Sequence, residues 1–206
     1  MKETKGKSLK ILLIILVAIL VIFMIFIIRK VVIFNNLEKT AQTFENSSNY
    51  YASVIQPQGD SIIVIESYNM DDKHLINMDS YKLNSNSHIK LEYYKDKNEE
   101  IGIARNGEEA YEIEEALYQE KVEVQSLNFY AHDFWSNLGL AFKSTVKSDK
   151  CNGEECYLIE NANLKLWVSK DTGLVMRKIE GSIVNEYNYE FNNVTDEDVR
   201  KPELLK

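Results

Sequence analysis

The sequence has few of the residues on which most enzymes and metal proteins depend. It contains three histidines and two cysteines among 206 residues, and His74, His88 and His132 lie far apart along the chain. It has no glycine-rich phosphate loop, no H-E-x-x-H zinc motif and no G-x-S-x-G nucleophile motif. We therefore expect a protein that is not an enzyme, with no catalytic residue, no metal site and no cofactor.

Proline is equally scarce, with two residues in the chain, and no low-complexity stretch marks a linker between domains. One strongly apolar segment stands apart from the rest. Ile11 to Ile28 contains no charged or strongly polar side chain, and as a helix it would rise about 27 Å, close to the thickness of a bilayer's hydrocarbon layer. A single domain behind this segment accounts for the whole chain.

The apolar segment has two alternatives to a membrane span: a buried core helix and a cleavable signal peptide. A core helix shows a polar stripe, and a signal peptide has a shorter apolar stretch that ends at small residues. Arg29 and Lys30 follow the segment instead. The pattern favours a retained transmembrane anchor over residues 11–34, after a basic tail of residues 1–10, so the lipid bilayer is an expected partner.

Charge predicts the orientation of the anchor. Four lysines precede the apolar segment and two basic residues follow it, which favours a cytoplasmic N-terminus and an extracytoplasmic domain of residues 35–206 in a single-pass cell-membrane protein. Six of the 24 basic and one of the 32 acidic residues precede residue 35, so the remaining 172 residues carry a net charge of −13. Because such a domain is repelled by phosphate backbones, we expect no nucleic acid partner.

The two cysteines enclose a tight-turn sequence. Cys151 and Cys156 flank Asn152-Gly153-Glu154-Glu155, and Asn-Gly favours a two-residue hairpin turn that would bring two strands together. A structural disulfide in an oxidising compartment is the favoured interpretation. A metal or redox pair is the alternative, although the spacing is not C-x-x-C and no histidine lies nearby.

After the anchor, the period of the hydrophobic pattern changes. A short helix is predicted over Asn35 to Ser48, and from Asn49 onward apolar and polar residues alternate in about ten segments, as in antiparallel strands. The predicted fold class is α+β, a mostly antiparallel curved sheet, or incomplete barrel, cupped around helices. The predicted strands are Tyr50 to Gln56, Ser61 to Asn69, Lys73 to Ser80, His88 to Lys95, Glu99 to Ala104, Glu109 to Glu114, Lys121 to Gln125, Cys156 to Glu160, Asn163 to Val168 and Glu186 to Phe191.

One aromatic segment interrupts the strands. Phe129 to Leu140 predicts a helix, in which Phe134 and Trp135 each lie beside Leu138. We expect the inner face of the sheet to cover this stripe. It would then either be ordinary core or, with Phe129, line an apolar ligand pocket. A final capped helical turn is predicted at Thr195 to Asp198.

The C-terminal third resembles the extracytoplasmic LolA-like superfamily. That group includes lipoprotein carriers, lipid-binding lipoproteins, RseB-type regulators of envelope stress and the spore germination lipoprotein GerS. The segments that carry the resemblance are Asn152 to Ile159, Leu166 to Arg177, Tyr187 to Phe191 and Val194 to Val199. The resemblance implies an incomplete antiparallel barrel closed by helices around an apolar hollow.

The tether distinguishes this chain from a carrier, which must diffuse, and no lipid-attachment cysteine follows the apolar segment. Two hypotheses follow from the resemblance. In the first, the anchored domain is a binding module that holds a lipid or acyl group. In the second, it is a protein-interaction or regulatory subunit that uses an acidic, tyrosine-rich face of its sheet to position an envelope protein.

Overall fold

The computed structural model describes residues 2–84, 88–97, 99–107, 109–113, 122–130 and 133–203, with the side chains of residues 2–9 and 129 left out. Its first element, α1, is one helix over Lys2–Glu45. The predicted anchor and the predicted helix over Asn35 to Ser48 are therefore one element. Between them the chain has no proline or glycine that would end or kink a helix.

The described strands form one antiparallel sheet of 11 strands in the order β6-β5-β4-β3-β2-β1-β11-β10-β9-β8-β7. It consists of two meanders, β1 to β6 and β7 to β11, joined where the first and last strands pair, with Ala52 opposite Tyr189. The predicted α+β fold with a curved antiparallel sheet is confirmed. The strands are β1 Asn49–Gln58, β2 Ser61–Met70, β3 Lys73–Lys82, β4 His88–Asp96, β5 Glu99–Asn106, β6 Glu109–Ile113, β7 Thr145–Cys151, β8 Glu154–Glu160, β9 Leu164–Ser169, β10 Val175–Glu180 and β11 Ile183–Phe191.

The C-terminal half of α1 lies on one face of this sheet, here called the inner face. The helix residues buried there recur every three or four positions, the spacing of one helix face: Ile27, Val31, Phe34, Leu37 and Ala41. They join one hydrophobic core with alternate residues of the strands, including Ala52, Val54, Ile65, Leu166 and Val168. By contrast, the large apolar side chains from Ile11 to Phe26 are exposed.

The connection between the two meanders crosses the inner face. The predicted strand Lys121 to Gln125 begins outside the described residues, and residues 122–125 are not part of the sheet. They form a strap instead: the Val122 amide donates to Ser67 Oγ at 3.0 Å, and Val175 donates to the Gln125 carbonyl at 2.8 Å. The alternating pattern was correct, since Val122 and Val124 are both buried.

The strap leads into two short helical pieces. A 3-10 turn covers Leu127–Phe129, and α2 covers Phe134–Lys143, with the Asp133 carboxylate accepting from the Ser136 amide at 2.7 Å as its N-cap. The helix predicted over Phe129 to Leu140 therefore begins later, at Phe134, and ends later, at Lys143.

The other face of the sheet, here called the outer face, is partly covered by the C-terminal segment of residues 192–203. Asp196 pairs with Lys73 at 2.6 Å, Lys201 pairs with Glu99, and the Glu203 carbonyl accepts from Arg105 at 2.8 Å. The predicted turn is present, because the amide and hydroxyl of Thr195 both donate to Asp198. The buried side chains of Val194 and Val199 attach the segment to the sheet.

Candidate functional site

The place where a carried ligand would bind is occupied by the protein's own helix. The inner face of the sheet packs against the buried stripe of α1 that runs from Ile27 to Ala41, and the strap adds Val122 and Val124. A hollow was the expectation from the resemblance. In the described part of the chain, helix and strap fill this space.

Polar contacts fix α1 in this position at three levels. Lys30 Nζ donates to the carbonyls of Ala141 at 2.9 Å and Ser144 at 2.5 Å, at the C-terminal end of α2. Glu38 accepts from Asn137 at 2.7 Å, and Glu45 accepts from Ser126 and Asn128. Burial raises the pKa of Glu38, although the hydrogen bond from Asn137 works in the opposite direction. The helix is thus part of the domain's core as well as its candidate anchor.

The aromatic stripe of α2 does not face the sheet. Phe134 is 58% exposed and Trp135 is 75% exposed, while Leu138 packs at the edge of the core. The expectation that the sheet covers Phe134 and Trp135 is wrong, because α2 turns its small and amide side chains, Ala141 and Asn137, toward α1. The side chain of Phe129 lies outside the described part, and a ligand-binding role for these four residues stays a prediction.

The outer face carries a cleft between strands β1, β2 and β11 and the C-terminal segment. Its volume is about 380 Å³. The rings of Tyr51 and Tyr68 lie side by side on its floor, with centroids 4.9 Å apart. The residues that line the cleft are Tyr51, Tyr68, Asn188, Glu190, Asn193, Val194 and Asp198. We call this site the tyrosine cleft.

The chemistry of the tyrosine cleft is aromatic and acidic. Tyr51 donates to Glu66 Oε1 at 2.9 Å, and Glu190 accepts from Asn193 at 3.2 Å. Burial raises the pKa of Tyr51 and of Tyr68 to about 12, so both phenols stay neutral near pH 7. Among the described residues, neither Glu66, Glu190 nor Asp198 forms an ion pair with a basic side chain.

Such a site offers aromatic faces, amide groups and carboxylates without a neutralising cation, which is the pattern that binds organic cations. The sequence pointed to an acidic, tyrosine-rich sheet face but not to these residues. They come together because β1, β2 and β11 are neighbours in the sheet although β11 is last in the chain. Among the residues described, no three His, Cys, Asp or Glu side chains are placed to hold a metal ion.

The two cysteines lie on the β7–β8 hairpin and both are free thiols. The predicted Asn-Gly turn is present, but Cys151 pairs with Glu154 and Cys156 pairs with Asp149, so the cysteines are two rungs apart on the diagonal. Diagonal Cα atoms lie about 7–8 Å apart, beyond the usual limit of about 6.8 Å for a disulfide. The structure therefore gives no support to the predicted disulfide, and the argument for an oxidising compartment loses this support.

These features define a class: an α+β protein whose open antiparallel sheet is built on a long apolar N-terminal helix that fits a membrane anchor or a signal sequence. No protein-family model matches the chain, and no curated protein matches it. Among solved structures, an uncharacterized conserved protein from Thermus thermophilus is similar at 7% identity and a TM-score of 0.43, over 82% of this chain and 94% of that one. The Pseudomonas aeruginosa MucA/MucB complex is similar at 8% identity and a TM-score of 0.37, over 81% of this chain and 60% of that one.

Proposed function

We propose that this protein is a membrane-anchored, extracytoplasmic and non-enzymatic module that binds a partner protein through the tyrosine cleft. The observation that carries the proposal is the occupied inner face of the sheet. A lipid carrier needs an empty apolar space for its cargo, and here the buried stripe of α1 takes that space. The outer face is left as the surface available for a partner.

The energetic cost of vacating the inner face supports this choice. Burying one large aliphatic or aromatic side chain stabilises a fold by about 1.5–3 kcal/mol. Ile27, Val31, Phe34 and Leu37 are all at least nine-tenths buried, so withdrawing them would cost on the order of 6–12 kcal/mol. That is comparable to the whole stability of an ordinary domain, about 5–15 kcal/mol.

The tyrosine cleft suits a basic side chain of the partner. The faces of Tyr51 and Tyr68 attract a guanidinium or ammonium group by about 0.5–2 kcal/mol. The carboxylates of Glu190 and Asp198 are close enough to line the same cleft and carry no basic partner among the described residues. A protein segment with an exposed arginine or lysine therefore matches the site in both charge and shape.

The cellular placement belongs to the same proposal. The exposed apolar part of α1, from Ile11 to Phe26, spans the cell membrane with the N-terminus in the cytoplasm, and the sheet lies outside, as the lysines before the apolar segment favour. Protease added to intact cells then removes the sheet domain. Full protection of the domain would show the opposite orientation.

A photo-crosslinking amino acid at Asn188, inside the tyrosine cleft, tests the function in cells that make the full chain. We expect one discrete protein adduct that disappears when Glu190→Lys is added, because the new ammonium group repels a basic partner. Lys165, exposed on the outer face of β9 and two strands away from β11, is the control position and should give no such adduct.

A LolA-like module that holds a lipid or acyl group is the second candidate, supported by the resemblance of the C-terminal third. The same amino acid at Val54, on the inner face, distinguishes it. A lipid adduct at Val54, together with no charge-dependent adduct at Asn188, would overturn the partner-binding proposal in favour of the carrier.

A further inference from the structure

We infer that α2 is an interfacial helix: its exposed aromatic stripe and the neighbouring β10–β11 turn rest in the surface of the lipid bilayer. The sheet domain is thereby held against the membrane instead of swinging freely on its anchor. This inference concerns a different surface from the tyrosine cleft. It needs only that the apolar segment of α1 lies in a bilayer.

Three aromatic side chains of α2 are exposed around the partly buried Leu138. Phe134, Leu138 and Phe142 are four residues apart, so they lie on one face of the helix, with Trp135 beside them. Phe134 and Trp135 are more than half exposed and Phe142 is 48% exposed, while the adjoining side of the helix packs on α1 through Asn137 and Ala141. An exposed aromatic face of this size beside an anchor indicates that the face contacts either the lipid bilayer or a partner protein.

The stripe touches the membrane-spanning part of α1. The ring of Phe142 lies 5.9 Å from the ring of Phe23, which is within the apolar segment. One to two turns further along α1, Arg29 and Lys30 mark the level of the polar head groups, and Lys30 holds the end of α2 there through the Ala141 and Ser144 carbonyls. Phe142 thus lies on the apolar side of that level.

The sheet register brings a second apolar group to the same level. Thr145, directly after the end of α2, pairs with Glu160, which pairs with Lys165. One rung on, Leu164 pairs with Glu180, and Glu180 pairs with Ile183. Ile183 is 58% exposed at the tip of the β10–β11 turn. The edge of the sheet that begins at α2 therefore ends in an exposed isoleucine at the level of Phe142.

The distribution of charge fits the bilayer as the occupant. Lys143 ends α2 next to Lys30 of α1, and the acidic residues at this end of the sheet, Glu160 and Glu180, are both paired with lysines. The opposite ends of the strands carry acidic pairs such as Asp71-Asp72 and Glu154-Glu155. An anionic membrane surface attracts the first end and repels the second.

The two tryptophans give a matched test in the full-length protein reconstituted into phosphatidylcholine vesicles that contain phosphatidylglycerol. In Trp167→Phe, the fluorescence comes from Trp135 on α2. In Trp135→Phe it comes from Trp167, which lies on the outer face of the sheet between Asp149 and Arg177. Lipids with a nitroxide at the head group or high on the acyl chain serve as quenchers.

We expect head-group nitroxide lipids to quench Trp135 at least twice as strongly as Trp167. A third protein, Phe142→Trp in the Trp135→Phe and Trp167→Phe background, should be quenched most by the acyl-chain label. Far-ultraviolet circular dichroism confirms that each variant has kept its sheet. If folded Trp135 is quenched by aqueous iodide and no more than Trp167 by the lipids, the helix is not at the interface and the inference fails.

Discussion

Gly173 lies directly against the backbone of Leu37. Gly173 has φ +71°, in the left-handed region, and a Cβ atom on it would clash with the Leu37 carbonyl oxygen and come within 2.9 Å of the Ala41 amide nitrogen. The turn between β9 and β10 thus touches α1 without a side chain between them. This contact joins the C-terminal meander to the helix.

Gly173→Ala should detach that turn from α1. We expect a loss of several kcal/mol in the free energy of unfolding, because the strain at positive φ is added to a backbone clash. Gly181→Ala is the control, since Gly181 has φ +60° and nothing within 4 Å of the added Cβ, and should cost about 1 kcal/mol. Equal losses in denaturant titrations of the two full-length variants would contradict the close packing of helix and turn.

Trp135→Ala should barely change the stability of the domain. The side chain is exposed, so we expect a loss of less than about 0.5 kcal/mol, whereas Leu166→Ala, at a fully buried inner-face position, should cost about 2–5 kcal/mol. Urea unfolding of the full-length protein in detergent micelles measures both. If Trp135→Ala loses as much stability as Leu166→Ala, the side chain of Trp135 is buried in the core and is not exposed.

Acid should weaken the ion pair between Glu92 and Arg105. Arg105 also donates to the Glu203 carbonyl, so the attachment of the C-terminal segment should weaken with it. Burial alone would raise the pKa of Glu92, but the hydrogen bonds from Arg105, at 2.5 Å, and from Lys90 outweigh it and lower the pKa. A lowered folded pKa stabilises the fold above the ordinary glutamate pKa of about 4.3. That contribution disappears as the pH falls through the lowered value.

Glu92→Gln should therefore cost about 1–3 kcal/mol at pH 7 and progressively less as the pH falls below about 4.3, until the wild-type carboxylate is protonated as well below its lowered pKa. Unfolding free energies measured between pH 7 and pH 3 check this. Glu154→Gln, at an exposed residue of the β7–β8 turn, serves as the control with a nearly unchanged profile. A constant difference between Glu92→Gln and wild type across the range would disprove the ion-pair explanation.

Cys151 and Cys156 should both react as free thiols, but only after the domain unfolds. Burial raises the pKa of both, that of Cys156 to about 11, so little thiolate is present near pH 8. Mass analysis should show no maleimide adduct on the folded protein and two adducts after denaturation without reductant. A peptide in which Cys151 and Cys156 are linked to each other would show that the disulfide forms and that this prediction is wrong.

The sequence was informative wherever one periodicity dominated. Alternation of apolar and polar residues, less regular than in β9 and β11, located β1 to β5 to within a few residues, because each of these strands has neighbours on both sides. The prediction missed β10, whose burial does not alternate, and β7, whose Thr145 to Lys150 segment is almost entirely polar. As an edge strand with few buried residues, β7 carries too weak a hydrophobic signal.

The missing information was tertiary. The apolar stripe of Leu37, Ala41 and Phe44 was recognised, but nothing local shows that it continues back to Ile27 inside a segment that is apolar on every side. In the same way, the stripe of Phe134, Trp135 and Leu138 was correctly placed on one face of a helix. Which way that face turns depends on Lys30 and Glu38, about 100 residues away in the chain.

The continuity of α1 has a consequence for how the protein is made and destroyed. In the proposed topology, the first part of the chain to be synthesised supplies Ile27, Val31 and Phe34, so the β-strands complete their folding on a helix that already lies in the membrane. In that topology, a protease that cuts at the membrane surface near residue 30 would not release an intact domain. It would remove part of the core, and the shed fragment would be a substrate for degradation.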